Sequence, residues 1–214
     1  MMDTILNLGL NDETAKGFAA RTKNPRFVYD AYRRFLSMYG GVVLGVKGHA
    51  FHEALNKGRR VMCKELGIDA PADAEALVHA VPDSQLSADV LKQVVEDFKK
   101  VIVDATGKVF PDKPFDQLMG AIGAVFESWN NDRAILYRKM HGIPGEWGTA
   151  VNVQSMVFGN LGDSSATGVA FTRDPSTGDK RFFGEWLPNA QGEDVVAGIR
   201  TPRPISKGPN SKGL

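Results

Sequence analysis

Apolar residues in the first two thirds of the chain recur at helical spacing. Val28, Tyr32, Phe35, Leu36 and Tyr39 follow Pro25 at steps of three and four, and Phe51, Leu55, Met62 and Leu66 repeat the rhythm more loosely. Leu91, Val94, Val95, Phe98, Val101 and Ile102 form a stripe, with Glu96, Asp97, Lys99 and Lys100 on the other side. Phe115, Leu118, Met119, Ile122, Val125, Phe126 and Trp129 form a second. Stripes of this period predict amphipathic helices that turn their apolar side to a core. Ser84 and Asp132 are candidate helix-starting caps, and "DAPAD" and "FPDKP" are candidate turns. The expected result is a compact helical bundle.

The pattern changes near His141. "GIPGEWG" is rich in helix breakers, and strand-like runs follow at residues 150–158, 168–172 and 181–187. In the first run Val151, Val153 and Val157 alternate with Asn152, Gln154, Met156 and Phe158. "RDPSTGDK" predicts a hairpin turn between the other two, because proline presets one dihedral and Gly178 can take a positive φ. The fold class expected is α+β: a mainly helical region over 1–145, a β-rich lobe over 146–206, and a disordered tail over 207–214, where Gly, Pro, Ser and Lys dominate.

Composition narrows the partners. Of 214 residues, 43% are hydrophobic and 24% charged, which suits a globular chain. The net charge of +1 supplies no field to draw in nucleic acid or an anionic membrane. There is no run of membrane-spanning length, and "MMDTILNLGLND" lacks the basic opening of a secretory signal. Cys63 is the single cysteine, which excludes an internal disulfide and fits a reducing compartment, and the residue is expected as a small buried hydrophobe. Arg33, Arg34, Arg59 and Arg60 read as solvated helix faces, and His49, His52, His79 and His141 as surface or structural residues without metal-ligand spacing.

Three stretches could carry chemistry. In "SSATG", residues 164–168 offer successive backbone amides, two serine hydroxyls and little bulk, which suits a loop closing on phosphate as well as it suits a plain β-turn. Glu185, Glu193 and Asp194 gather acidic groups past a strand end; they could accept from a ribose or an adenine amine, meet a phosphate-bound magnesium ion, or be solvated. Asn152, Gln154 and Met156 give one edge of a run the mixed character of an adenine pocket, or of a half-exposed strand. No Walker lysine motif and no dinucleotide fingerprint is present.

"MMDTILNLGLND", "NPRFVYDAYRRFLSMYG", "IPGEWGTAVNVQSMVFGN", "SSATGVAFTRDPSTG" and "GEWLPNAQGEDVVAGIRTP" together resemble the pyruvate phosphate dikinase family, over residues 1 to about 206. The likeness is to its N-terminal nucleotide-binding domain, and it implies part of an ATP-grasp fold with a helical insert. The family converts ATP, phosphate and pyruvate into AMP, pyrophosphate and phosphoenolpyruvate through a phosphohistidine on a mobile domain. The resemblance implies Mg-ATP as ligand, Gln154 and Met156 at the adenine hinge, and Thr167 and Gly168 in the loop over the phosphates. It implies Glu193 at the ribose or adenine and Glu185 nearer the phosphates.

Departures from the family pattern carry their own expectations. The family's catalytic lysine and arginine lie upstream of "MMDTILNLG", its magnesium ligands and a Gln-x-Arg segment lie downstream of "RTPRPI", and its phosphohistidine motif is missing here. The chain is therefore expected to be a piece of a longer enzyme, inactive alone, with the remaining domains as partners. Apolar surface around Ile5, Leu6 and Leu8 would favour self-association. A water-using phosphoenolpyruvate synthase, or a non-catalytic nucleotide-binding or assembly module, are the competing readings. The expected location is the cytoplasm, or an organelle in a eukaryote.

Overall fold

The computed structural model describes residues 2–196 and 200–205. It divides into two compact units, Met1–Gln154 and Ser155–Leu214. The tail expected over 207–214 lies outside the described residues.

The first unit is helical: α1 (Asp12–Thr22), α2 (Pro25–Val42), α3 (Gly48–Leu66), α4 (Ala74–Ala80), α5 (Ala88–Thr106), α6 (Pro114–Glu127) and α7 (Asp132–His141). The stripe of α2 buries Phe27, Val28, Tyr32, Phe35 and Leu36, and that of α5 buries Leu91, Val94, Phe98 and Ile102. These two helices pack on one another, α3 packs on α5, and α1 on α2. Cys63 is fully buried in α3.

Helix starts differ from expectation by one to three residues. Ser84 sits inside a 3-10 turn, Asp83–Gln85, and Ser87 caps α5 by accepting from the Val90 amide at 3.2 Å. Asn131, not Asp132, caps α7, accepting from the Ala134 amide at 2.8 Å. A cap must keep extended backbone while its side chain folds back, and Ser87 and Asn131 hold ψ at 161° and 156°.

On α6 the expected stripe is buried only along one flank, where Leu118, Ile122 and Val125 are half-buried. The most buried positions of the helix are Gln117, Ala121 and Ala124, while Phe115, Met119 and Phe126 are exposed. Close approach decides this. A Cβ on Gly120 would overlap the Tyr39 hydroxyl of α2, so the small side of α6 is the one that can lie against the bundle. Gln117 completes the contact, accepting from the Gly9 amide at 3.0 Å and donating to the carbonyls of Leu10 at 3.0 Å and Pro111 at 2.8 Å. Exposed apolar side chains thus gather on α6 and α7, where Leu136 and Met140 join them, while Ile5, Leu6 and Leu8 are half-buried.

The arginines expected as solvated are mostly not so. Arg33 and Arg59 are buried. Arg33 bonds Asp30 and Asp83, each at 2.6 Å, Arg34 bonds Asp30 at 3.1 Å, and Arg59 pairs with Asp83. Asp83 lies 50 residues beyond Arg33, so the pairing has no local signature. All four histidines are exposed.

The second unit holds an antiparallel sheet of order β1-β2-β3: β1 (Ala166–Phe171), β2 (Phe183–Pro188) and β3 (Arg203–Pro204). The turn between β1 and β2 forms as expected. Asp174 accepts from the amides of Ser176 and Thr177, pairs with Arg181, and takes the Gly178 amide on its carbonyl at 2.9 Å, with Gly178 at φ +78°. Residues 150–158, expected as a strand, form no regular structure, and Val153 and Val157 are exposed. Alternation makes a strand only where a neighbour completes the ladder, and the ladders of the described sheet are β1 with β2 and β2 with β3.

Candidate functional site

The register of β1 on β2 arranges the candidate residues of the second unit. Thr167 pairs with Leu187, Gly168 with Trp186 and Val169 with Glu185. Residues opposite one another across an antiparallel ladder share a face. Thr167, Val169, Glu185 and Leu187 therefore stand on one side of the sheet, and Trp186 on the other, with the Arg203 guanidinium 5.5 Å from its ring centre.

A short helix, α8 (Gly192–Val196), packs on the first of these faces through a small cluster of Leu187, Ala190 and Val195, against which Val169 rests. Glu193 is exposed on α8, and Glu185 is exposed on β2 two residues before buried Leu187. The start of α8 is braced by Asp194, whose carboxylate accepts from the Gln191 amide at 2.9 Å.

Thr167 is half-buried and its hydroxyl donates to the Ala190 carbonyl at 2.6 Å. The Ala190 amide donates to the Gly159 carbonyl at 3.0 Å, and the Asn189 amide to the Ser165 carbonyl at 2.8 Å. Residues 189–190 thus close on both ends of the segment 159–165, which leads into the small-residue loop. Gly168 is exposed, and its backbone approaches β2 so closely that a Cβ would meet the Glu185 carbonyl oxygen at 2.7 Å and the Trp186 Cβ at 3.0 Å. Glycine there is a packing requirement of the sheet.

The structure brings Thr167, Gly168, Glu185 and the helix of Glu193 onto one small scaffold. Met156 is half-buried earlier in the same unit, and Gln154, exposed, ends the first unit. Sequence reasoning missed Gly159, Asn160, Ala190 and Gln191, of which Gln191 donates to the Asn160 side chain at 3.4 Å. They carry no chemical signature in "GN" or "NAQ"; only the pairing of segments distant in the chain reveals them.

Among the described residues, no group of three or more His, Cys, Asp or Glu side chains gathers closely enough to hold a metal ion. Among those same residues no helix is long and apolar enough to cross a membrane. In the first unit a recess of about 330 Å³ is lined by Met2, Thr4, Trp129, Tyr137, Arg138 and Ile143, and none of the candidate residues lines it.

Known proteins resemble the chain along nearly its whole length. A family model described as "Pyruvate phosphate dikinase, AMP/ATP-binding domain" matches residues 1–212, past the limit near 206 expected from the motifs. The chain is 56% identical over 208 residues to a pyruvate, phosphate dikinase of Clostridium symbiosum, which covers 97% of this chain and 22% of that protein. It is 53% identical over 207 residues to one from Rhizobium meliloti (strain 1021), covering 97% and 21%. It is 51% identical over 205 residues to a chloroplastic one from Mesembryanthemum crystallinum, covering 96% and 20%. The chain spans about a fifth of the length of these curated relatives.

Proposed function

Because this chain belongs to the pyruvate phosphate dikinase AMP/ATP-binding domain family, we propose that it is the nucleotide-binding segment of such an enzyme, with part of an ATP-grasp fold. The whole enzyme would convert ATP, phosphate and pyruvate into AMP, pyrophosphate and phosphoenolpyruvate, through a phosphohistidine carried on another domain. The remaining domains are then its partners, and cytoplasm or a plastid its location.

The observation that carries this reading is the shared face of Thr167 and Glu185, on which α8 packs while presenting exposed Glu193. Such a scaffold suits a nucleotide. A carboxylate such as Glu193 accepts from ribose hydroxyls or an adenine amine, and charge-assisted bonds of this kind are the stronger ones. The small loop that ends at Thr167 and Gly168 offers amides to phosphate oxygens at little steric cost. Gln154 and Met156 supply an amide edge and an apolar surface for adenine.

Magnesium would arrive on the phosphates, and its chemistry is to neutralise their charge. The described residues do not by themselves supply a metal site. Glu185, nearer the phosphates, needs that neutralisation, since a bare carboxylate repels them. The flanking segments of the longer enzyme are where we place the remaining ligands.

Titration calorimetry of this chain with Mg-ATP tests the reading. Saturable binding that competes with AMP is expected. Absence of binding by this chain, and equally by the same chain extended with flanking segments of a relative, overturns it.

A further inference from the structure

Thr167 has one hydroxyl proton, and the structure spends it on the Ala190 carbonyl, 2.6 Å away. While that bond holds, the hydroxyl cannot donate to a phosphate oxygen. Its neighbours explain what the bond does. Residues 189–190 reach both ends of the segment 159–165 that leads into the small-residue loop, bonding Gly159 at its start and Ser165 at its finish, and the Thr167 bond closes the same seam. Two residues beyond Ala190 the chain enters α8, which carries Glu193.

Gly159 makes the closure sterically feasible. A Cβ at that position would overlap the Thr167 hydroxyl and would lie 2.5 Å from the Ala190 carbonyl oxygen and 2.7 Å from that of Ala166. Those two oxygens belong to backbone held in the sheet and the seam, so they cannot swing aside as a side-chain tip would. Any residue larger than glycine must open the seam.

We propose that Gly159, Thr167 and Ala190 form a latch that makes the small-residue loop and the helix of Glu193 move as one body, so that Gly159 and Thr167 are positioning residues for a nucleoside triphosphate. This rests on the nucleotide-binding reading of the same scaffold. A triphosphate nucleotide engages both ends of the latched body, the phosphates at the loop and the nucleoside at Glu193. Linking the two ends lets the ordering of one prepare the other, which is positive coupling between subsites. A monophosphate engages the nucleoside end and gains little from the link.

The test uses this chain as wild type, Thr167→Val, Thr167→Ser and Gly159→Ala, titrated with Mg-ATP and separately with AMP. Thr167→Val keeps the shape and removes the proton. It is expected to weaken Mg-ATP binding about tenfold while leaving AMP within about twofold, the size of an ordinary coupling between sites. Thr167→Ser restores wild-type affinity for Mg-ATP, and Gly159→Ala matches Thr167→Val. In the nucleotide-free protein, amide exchange at Asn189 and Ala190 is expected to quicken in Thr167→Val and to return to normal in Thr167→Ser.

Unchanged Mg-ATP affinity in Thr167→Val overturns the latch, and so does an equal loss for Mg-ATP and AMP, which a merely structural bond would produce. Absence of Mg-ATP binding by the wild-type chain, and equally by the chain extended with flanking segments of a relative, removes the ligand role along with the nucleotide reading. Unchanged exchange at Asn189 and Ala190 in Thr167→Val removes the latch whether or not nucleotide binds.

Discussion

Arg33 of α2 holds Asp83 at 2.6 Å across 50 residues of chain, and the same guanidinium holds Asp30 at the same distance. Burial by itself would raise the Asp83 carboxyl, but the charges of Arg33 and then Arg59 outweigh it and lower the pKa to about 2 from an ordinary 3.8. Asp30 is shifted down too: burial opposes, and Arg33, Arg34 and Arg26 prevail. A carboxyl with a depressed folded pKa stabilises the fold above its unfolded pKa and loses that contribution as pH falls through the folded value. Stability measured by urea unfolding is therefore expected to fall between about pH 4 and pH 2, with Asp83 responsible for about 1–2 kcal/mol once solvent screening is allowed for. Asp83→Asn should lower stability at pH 7 and flatten the profile in that window. An unaltered acid profile in the variant would count against this assignment.

Gly120→Ala is expected to cost about 1–3 kcal/mol, the usual penalty of overpacking. The Tyr39 ring cannot readily give way, since it packs edge-on against Phe35 and Phe110 at 5.6 and 5.3 Å. Adding Tyr39→Phe to Gly120→Ala removes the obstructing hydroxyl and should recover part of the loss. A double variant no more stable than Gly120→Ala contradicts the clash.

Gln117→Leu should cost about 1–3 kcal/mol, because it strips partners from one half-buried amide and two carbonyls. Faster exchange of the Gly9 amide, which the Gln117 side chain now accepts from, is the accompanying signature. A thermal midpoint equal to wild type would show that water replaces the side chain at no cost.

Glu193→Ala removes the carboxylate exposed on α8. Binding of Mg-ATP should weaken about tenfold or more, the worth of a hydrogen bond to a charged group. Equal affinity in wild type and variant would remove Glu193 from the site.

Turnover is expected to be absent. Phosphoryl transfer needs cations to offset charge on the phosphates, and the chain spans about a fifth of the length of the dikinases it matches. A coupled assay of this chain with ATP, phosphate and pyruvate should give no phosphoenolpyruvate above background. Turnover comparable to a full-length relative would show that the chain is self-sufficient.

Local chemistry was legible along the chain by itself. The stripes of α2 and α5 predict their buried faces, because helical period and apolar side chains act within a few turns. The turn around Asp174 is legible for the same reason: proline, glycine and an aspartate that bonds its own backbone act within six residues. The five motifs carried the family as well. Tertiary structure decided the rest. Which side of α6 is most deeply buried depends on Tyr39, far away in α2, and the larger apolar stripe yields the deepest positions to the side that permits close approach. Residues 150–158 alternate without becoming a strand, because a ladder needs a partner that alternation cannot supply. The bond from Thr167 to Ala190 and the pairing of Arg33 with Asp83 join positions 23 and 50 residues apart. Such contacts are selected by where the folded backbone places donors and acceptors, and residue type alone carries no trace of that placement.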